Sequence, residues 1–531
     1  MYAKRLLAAL ALVLSILMMM TACTSQMQTT TAGTTAAAGT AKPAGTSAAT
    51  TDKKLEISWL GHGTFDPSIN DDTEIEKLIE QKFNVDIKVV PIYNLKSEVW
   101  NTYWAAGNTA DMISNPGVDY RLMVEQGLVR EIPENMIRQY MPKWIGKVEA
   151  LAGSPELVKK QLYNTDGKVY TVPFLHAPIM ESGVMVIRQD WLDKLNLKAP
   201  TTIDEFHAVL QAFTTKDPDG NGKNDTFGMN GNGRYHFNYV FGAYGLMPKT
   251  YYEKSGKVTY SSTSDAYKAA LKTLQTWFKE GLIDPETFTD DRTKQREKWA
   301  AGKFGILPDN AFWMSSIRGA SSVRAMVVAK NPNAKVEPFA AIKGPDGKSG
   351  SYVDYPSTVG QGAILFGKKT SDEKVIRIMQ IKEAMAADYD LYIRCYYGQE
   401  NTDWSRNTDK KIVVSSSVTP ETYRTKGIAQ FFALQPLSFE AQKNATAKID
   451  EMTHQIAAEQ PSIYAGIGFY APKVNNAAKN KGADVVSIAD QFYANAISGK
   501  LDIDSSWDSY VDKMKKAGLD EIIAEYEAML K

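Results

Sequence analysis

The sequence predicts an α/β protein of two lobes with a helical C-terminal region. Three observations predict it. Strand and helix patterns alternate from residue 55 onward at βαβ spacing. About 480 residues follow the first fifty, enough for two or three domains. The last third carries apolar stripes at helical spacing.

The elements follow in order. Leu55–Leu60 alternates as a first strand and ends at Gly61-His62-Gly63. Glu74 to Phe83 has Ile75, Leu78, Ile79 and Phe83 on one helical face, and Val85 to Val90 returns as a strand. Residues 110–113 form a short strand, Asn115-Pro116-Gly117 a turn, and 122–128 a helix. Gly167 to Pro173 begins a strand and turn, and Gly183 to Ile187 is a strong strand. A short helix starts at Asp190. Thr202 caps the next one with Glu205 three residues on, a capping box ahead of Phe206, Val209, Leu210 and Phe213. Further on, residues 264–281 read as helix, 302–307 and 360–366 as strands, and 373–386, 485–497 and 506–530 as helices.

The first 22 residues have the parts of an export signal: Lys4 and Arg5, the apolar run Leu6 to Met20, and small residues ending at Ala22. The run is shorter than the roughly 20 residues of a membrane-spanning helix. Ordinary cleavage after Ala22 is one reading. Met20-Thr21-Ala22-Cys23 resembles a bacterial lipobox, with Met where Leu is usual, which implies lipid on the Cys23 sulfur. Several acyl chains anchor firmly, because each buried methylene contributes about 0.8 kcal/mol. Residues 24–52 are almost all Thr, Ala, Gly, Ser and Gln, too polar to order themselves, and read as a flexible tether.

Composition narrows the classes. Hydrophobic residues make up 44% and aromatics 10%, enough to fill sizeable cores. Lys+Arg and Asp+Glu are 61 each; without Lys4 and Arg5 the balance is 59 to 61, a net charge of −2. No basic tract points to nucleic acid. Besides Cys23 there is only Cys395, so no intramolecular disulfide forms in a lipidated chain, and Cys395 reads as a buried, inert thiol.

The most specific motif is Asp217-Pro218-Asp219-Gly220-Asn221-Gly222-Lys223-Asn224-Asp225. Side-chain oxygens fall at positions 1, 3, 5 and 9, a glycine sits at 6, and the Lys223 carbonyl is available at 7. This is most of an EF-hand-type loop, suited to a hard cation such as Ca²⁺. Position 12 is Gly228 rather than Glu, and Thr226 offers a weaker oxygen. The alternative is a surface turn without metal. Asp217, Asp219, Asn221, Lys223, Asp225 and Thr226 are the expected ligands of a structural calcium.

No Walker loop, His-Glu-x-x-His or Gly-x-Ser-x-Gly occurs, and neither Gly61-His62-Gly63 nor Gly231-Asn232-Gly233 completes a dinucleotide fingerprint. A glycosidase-type carboxylate pair stays open, since distant acids can meet in space. Aromatics cluster near breaks as well as in stripes. Flat rings beside Asp, Asn and Arg suit the apolar faces and hydroxyl rims of sugars; core packing or loop anchoring is the other account of each. The expected ligand-binding set is Trp59, Phe65, His176, Asp309, Trp313, Tyr397 and Trp404. Trp313 and Trp404 are expected to stack on sugar and Asp309 to accept hydroxyl hydrogen bonds, with lobe crossings near residues 176, 306 and 370.

Taken in order, Asp72 to Lys77, Phe83-Asn84-Val85, Asp166 to Tyr170, Ile187 to Leu195, Pro200 to Phe206, the calcium-type loop and Trp507 to Val511 resemble one family. It is that of the extracellular solute-binding proteins of carbohydrate ABC importers, in the long-chain lipoprotein group related to alginate-oligosaccharide-binding proteins. The resemblance spans 54–531. It implies a periplasmic-binding-protein-like fold with an interlobe cleft, closing on a carbohydrate and handing it to permease subunits. It also implies calcium in the lobe away from the cleft, no catalysis, and a monomer lipid-anchored at the outer face of the cell membrane. The expected segments are a signal (1–22), a lipidated tether (23–53), a first lobe (54–176 and 307–370) and a second lobe (177–306 and 371–531). A surface enzyme acting on polysaccharide and a non-transport adhesin are the alternatives; a peptide-like or other polar solute is an alternative ligand.

Overall fold

The structure is a computed structural model. It describes residues 54–60, 71–90, 97–114, 120–152, 155–164, 166–174, 183–231, 237–314, 322–353, 364–415, 417–428, 448–464, 466 and 475–530. The signal, Cys23, the tether, Phe65 and His176 lie outside these residues.

Two sheets organise the chain. The first has the order Val85–Val89, Leu55–Leu60, Met112–Ser114, Ile364–Phe366, Thr171–Val172. Its first three strands are parallel, and Ile364–Phe366 is antiparallel to both neighbours. The parallel trio is the expected βαβ arrangement. Its crossover helix, Glu74–Phe83, starts in a Thr73/Glu76 capping box and ends at Asn84 in a left-handed conformation (φ 51). The second sheet has the order Val336–Phe339, Gly183–Arg188, Phe304–Asn310, Phe227–Met229. Here Gly183–Arg188 is antiparallel to both neighbours, while Phe227–Met229 runs parallel to Phe304–Asn310.

Each sheet has its own core. The first gathers Trp59, Ile75, Ile79, Trp144, Phe174, Val375, Ile378, Met385 and Tyr392. The buried Trp144 indole still finds a partner, donating to the Pro173 carbonyl at 2.7 Å. The second gathers Trp191, Phe206, Phe213, Trp277, Phe492, Trp507 and Tyr510. The helix Ile203–Thr215 opens with the expected Thr202/Glu205 capping box, a device whose loss costs about 1 kcal/mol. Phe206, Val209, Leu210 and Phe213 all point inward from it.

Three expectations change. The Phe304–Asn310 and Val336–Phe339 strands belong to the second sheet, because both pair with Gly183–Arg188. The helices Asp372–Ala387 and Tyr389–Tyr397 pack into the first core. Assigning 307–370 wholly to the first lobe and all of 371–531 to the second is therefore corrected. The chain passes between lobes between Phe174 and Gly183, between Val353 and Ile364, and between Ile428 and Lys448. Finally, the single helix expected over 506–530 is two, Ile503–Lys516 and Leu519–Met529. Gly518 at φ +106 breaks it, and a Cβ there would run into the Lys481 side chain. Among the described residues no helix is long and apolar enough to cross a membrane.

Candidate functional site

In open α/β sheets, ligands settle at the carboxyl ends of parallel strands. In the second sheet that edge holds the ends of Phe227–Met229 and Phe304–Asn310 and, across the antiparallel pairing, the start of Gly183–Arg188. Asp309 stands there, with its side chain only 4% exposed. Each of its carboxylate oxygens accepts from an arginine: Arg292 Nη2 to Oδ1 and Arg296 Nη2 to Oδ2, both 2.5 Å. The two arginines are one turn apart on the helix Arg292–Ala300, whose first turn is capped by Asp291 accepting from Lys294 N at 2.7 Å. Both guanidinium groups lie over the half-buried Trp313 indole, at 4.9 and 4.0 Å from the ring centroid. This is the geometry in which a cation meets an aromatic face. Arg292 is 37% exposed and Arg296 12%.

Asp309 and Trp313, expected together, are together. The expectation that Asp309 accepts sugar hydroxyls is corrected, because its buried carboxylate is committed to two guanidinium groups. Arg292 and Arg296 were not singled out from sequence; their i, i+4 spacing was the available signal.

The other expected rings stand elsewhere. Trp59 is 0% exposed inside the first sheet, Tyr397 2% and Trp404 4%, all in the first core. Lys382 Nζ lies 5.2 Å from the Trp59 ring, and burial drives that ammonium's pKa down to about 7. Trp404 Nε1 donates to the Gly398 carbonyl at 3.1 Å. Beside it Asp403 accepts from Gln399 N (2.8 Å) and Lys426 Nζ (2.6 Å). Rings so enclosed offer no face to a ligand, so ligand stacking by Trp59, Tyr397 and Trp404 is corrected to core packing and loop anchoring. Cys395 is buried in the same core, where burial pushes its thiol up to about 12.

The loop 217–225 is folded, with Pro218 buried, Asp217 half-buried and residues 219–225 exposed. Asp217 accepts from the backbone N–H of Asn221 (Oδ1, 3.0 Å) and of Gly222 (Oδ2, 3.0 Å). The Asn221 side-chain amide donates to Asp219 Oδ2 (2.8 Å) and Asp225 Oδ1 (2.9 Å), so two carboxylates meet at one side chain while Asp217 holds the backbone N–H of the same residue. Left-handed turns at Gly220 and Gly222 (φ 77 and 79) allow the close approach. Two lysines clip the loop, Lys194 Nζ to the Asp217 carbonyl (2.8 Å) and Lys303 to Asp225 (2.9 Å). Desolvation and the neighbouring Asp217 hold the Asp219 carboxyl above the ordinary range, while Asn221 and Lys303 hold that of Asp225 below it. By donor type these residues fit a hard cation: carboxylate and amide oxygens share one short loop, and one carboxyl, Asp219, has its pKa raised by desolvation and by Asp217. Thr226 does not join them. It is buried, and its hydroxyl donates to the Phe213 carbonyl at 2.7 Å, a correction to the expected ligand set.

A second acidic group was not foreseen. Asp284, Glu286 and Asp290 place carboxylate oxygens within 4.8 Å of one another and can hold a metal ion. In this structure Lys298 Nζ sits among them, at 2.9, 2.5 and 2.7 Å. The buried Asn230 amide donates to Asp284 (3.0 Å) and Asp290 (2.8 Å). Burial alone would lower the Lys298 pKa, but hydrogen bonds to Asp290, Glu286 and Asp284 raise it well above the usual lysine value. Elsewhere, a pocket of about 490 Å³ between two first-lobe helices is lined by Asn101, Trp104, Leu122 and Met123 among others, and holds none of the expected site residues.

The sequence matches the bacterial extracellular solute-binding proteins over residues 66–377. The polygalacturonan/rhamnogalacturonan-binding protein YtcQ of Bacillus subtilis (strain 168) is 27% identical over 503 residues, covering 93% of this chain and 94% of the relative. The solved structure of the alginate-binding protein AlgQ2 without calcium ion superposes with a TM-score of 0.68 at 20% identity, over 90% of this chain and 98% of that one. An EF-hand mutant of the Streptococcus pneumoniae substrate-binding protein FusA, in complex with fructo-nystose, gives 0.66 at 20% identity over 90% and 98%. At such identities the structural likeness speaks for the fold.

Proposed function

Because this chain belongs to the bacterial extracellular solute-binding proteins, we propose that it is a membrane-anchored receptor that binds an oligosaccharide and delivers it to an ABC importer permease. Membership in a solute-binding family displaces the surface-enzyme and adhesin alternatives. The observation that carries the ligand class is the Trp313 platform at the carboxyl end of Phe304–Asn310. There an indole is held by two arginines that Asp309 fixes in place. Trp313 stacks on the C–H face of a sugar ring, and Arg292, the more exposed of the pair, donates to its hydroxyls. Two similar proteins support a carbohydrate: one is a polygalacturonan/rhamnogalacturonan-binding protein and the other is in complex with fructo-nystose.

Calorimetry of the full chain against galacturonan, alginate and fructan oligosaccharides tests this. One of them should bind and be recovered intact. Trp313→Ala should cut its affinity at least about tenfold with little loss of stability, as a desolvated hot spot does. Trp404→Ala should cost about 3 to 5 kcal/mol of folding stability. Consumption of the oligosaccharide, or normal binding by the Trp313 variant, would sink the reading.

The loop 217–225 takes a structural Ca²⁺ on Asp217, Asp219, Asn221, Asp225 and the Lys223 carbonyl. Support comes from the two carboxylates that meet at the Asn221 amide and from the EF-hand of FusA. The protein acts as a monomer on a lipid anchor at Cys23, held off the outer face of the membrane by residues 24–53. Cys23→Ser should release it into the medium or leave an uncleaved precursor; a variant anchored and processed as before would refute the anchor.

A further inference from the structure

The helix Arg292–Ala300 runs back along the strand Phe304–Asn310 and puts its first turns at the carboxyl edge of the second sheet, where Arg292 and Arg296 bond Asp309. Arg292, Gln295, Arg296 and Trp299 fall at the i, i+3, i+4, i+7 spacing of one helical stripe. Within that stripe the side chains part to two sides. Seen down the axis, Gln295 lies about 60° to one side of Arg292 and Arg296 about 40° to the other. Gln295 is 3% exposed, and its Nε2 donates to the Asn230 carbonyl at 3.2 Å.

Asn230 follows Phe227–Met229, the parallel neighbour of Phe304–Asn310, and is 0% exposed. It grips the helix at two points. Its carbonyl takes Gln295, and its side-chain amide donates to Asp290 Oδ2 (2.8 Å), one residue ahead of the Asp291 cap. The same amide also reaches Asp284 Oδ2 (3.0 Å), and Asp284 N donates to the Met229 carbonyl (3.0 Å), so the grip is itself tied to the strand end. Thr287 adds a further tie, its hydroxyl accepting from Gly231 N at 2.7 Å. The helix is thus held at the ends of two adjacent strands, by Asn230 at one and by Asp309 at the other. A rotation that frees Gln295 from Asn230 carries both guanidinium groups away from their places over the Trp313 indole.

We propose that Asn230 and Gln295 are positioning residues for the Trp313 platform: they fix the rotation of the helix Arg292–Ala300, and with it the place of Arg292 and Arg296 over the indole. Both act through the arginines rather than on the ligand. Their hydrogen bonds are buried and costly to leave unmade. A binding constellation keeps its geometry only while the contacts behind it lock it in place. This role rests on the carbohydrate reading in that the platform is where the ligand sits, but the placement of the indole can be read with no ligand present.

The test uses the full chain labelled with 5-fluorotryptophan, first without ligand. Fluorine NMR follows the Trp313 resonance, assigned by its loss in Trp313→Phe. Gln295→Met removes the donor to Asn230 at nearly constant shape, and Asn230→Ala removes the amide bonds to Asp284 and Asp290. Thr226→Val, which removes a buried donor to a carbonyl elsewhere in the same lobe, is the control. In Gln295→Met and Asn230→Ala the resonance should move toward its position in an Arg292→Ala, Arg296→Ala double variant. In Thr226→Val it should stay in place at a comparable loss of melting temperature. With the oligosaccharide that the native chain binds, Gln295→Met and Asn230→Ala should each weaken affinity roughly fivefold, the factor that one hydrogen bond carries. If Asn230→Ala does not fold, Gln295→Met decides alone. A Trp313 resonance that stays in place in Gln295→Met overturns the proposal, as does unchanged affinity beside a moved resonance. If no oligosaccharide binds the native chain, the carbohydrate reading falls, while a moved resonance still supports the placement of the helix by Asn230 and Gln295.

Discussion

The loop 217–225 and the cluster at 284–290 gather the same groups and settle the same repulsion by opposite means. The cluster brings three carboxylates within 4.8 Å of one another and the loop hangs two on the Asn221 amide with Asp217 beside them, crowding that like charges oppose. The cluster is partly buried and uses an internal cation. Asp284 and Asp290 are 4% and 5% exposed, and Lys298 bonds to all three acids. The loop is exposed and uses backbone N–H groups and one amide, with lysines only at its margins. The first arrangement is complete without metal. The second keeps one carboxyl, Asp219, with a raised affinity for a proton, and so leaves room for a cation to do better. Counting acids in a sequence does not separate such sites; what matters is whether a lysine can reach the middle.

The largest effect should come from removing that lysine. Lys298→Met leaves nearly buried carboxylates facing each other, at a cost on the order of 3 to 5 kcal/mol. Urea unfolding reads this as a lower midpoint, and millimolar calcium should recover part of it, since the carboxylates are then free to take a metal. The sign of the pH dependence follows from the raised Lys298 pKa. Its contribution is complete below the unfolded value of 10.5 and fades as pH rises through the higher folded value. An unchanged midpoint would mean that the two sites do not differ in this way.

A smaller effect is expected at the loop. Calcium at about a hundredfold over its dissociation constant should raise the melting temperature by roughly 3 °C, and Asp217→Ala with Asp219→Ala should abolish the rise. Here the pH dependence lies on the acid side. Between the ordinary value of 3.8 and the raised native value, the folded loop keeps a proton on Asp219 that the unfolded chain has lost. Rising pH therefore destabilises the metal-free protein in that window. Calcium displaces the proton and cancels the loss, so its stabilising increment should shrink as pH falls. A calcium increment that survives the double substitution would move the ion elsewhere, with the 284–290 cluster the first place to look.

Local pattern in the sequence proved legible; partnership across the chain did not. The capping box at Thr202/Glu205 and the inward faces of Ile203–Thr215 and Asp372–Ala387 rest on residues a few positions apart. Which sheet a strand joins depends on residues far away. Phe304–Asn310 finds its partner more than a hundred positions earlier, in Gly183–Arg188, and Val336–Phe339 hides as an edge strand with Pro338 inside it. Trp404 misleads for a related reason. Asn401, Asp403 and Arg406 around it suggest a wet loop, yet Asp403 turns inward to bond Gln399 N and Lys426 and closes the loop over the ring. Lys382 was readable in principle. It lies on the apolar stripe through Val375, Ile378, Met379 and Met385, where helical spacing alone foretells burial. The arginines over Trp313 needed the Asp309 strand end to give them meaning.

The interleaving of the two cores sets an order of assembly. The first core is complete once Ile428 is available, although it must wait across an excursion of more than 180 positions between Phe174 and Ile364. The second draws on Met185 at one end and Tyr526 at the other. Its last helix turns back at Gly518 to reach the hairpin strand Lys257–Tyr260, where Glu527 Oε1 accepts from Val258 N at 2.9 Å. Such distant contacts are slow to form, because loop closure must come before they repay it. A chain emerging amino terminus first thus holds a half-finished apolar surface of the second lobe until nearly its last residue has appeared. Loss of even the final dozen residues would leave the second lobe open along its terminal seam, while the first lobe, already closed, would be spared.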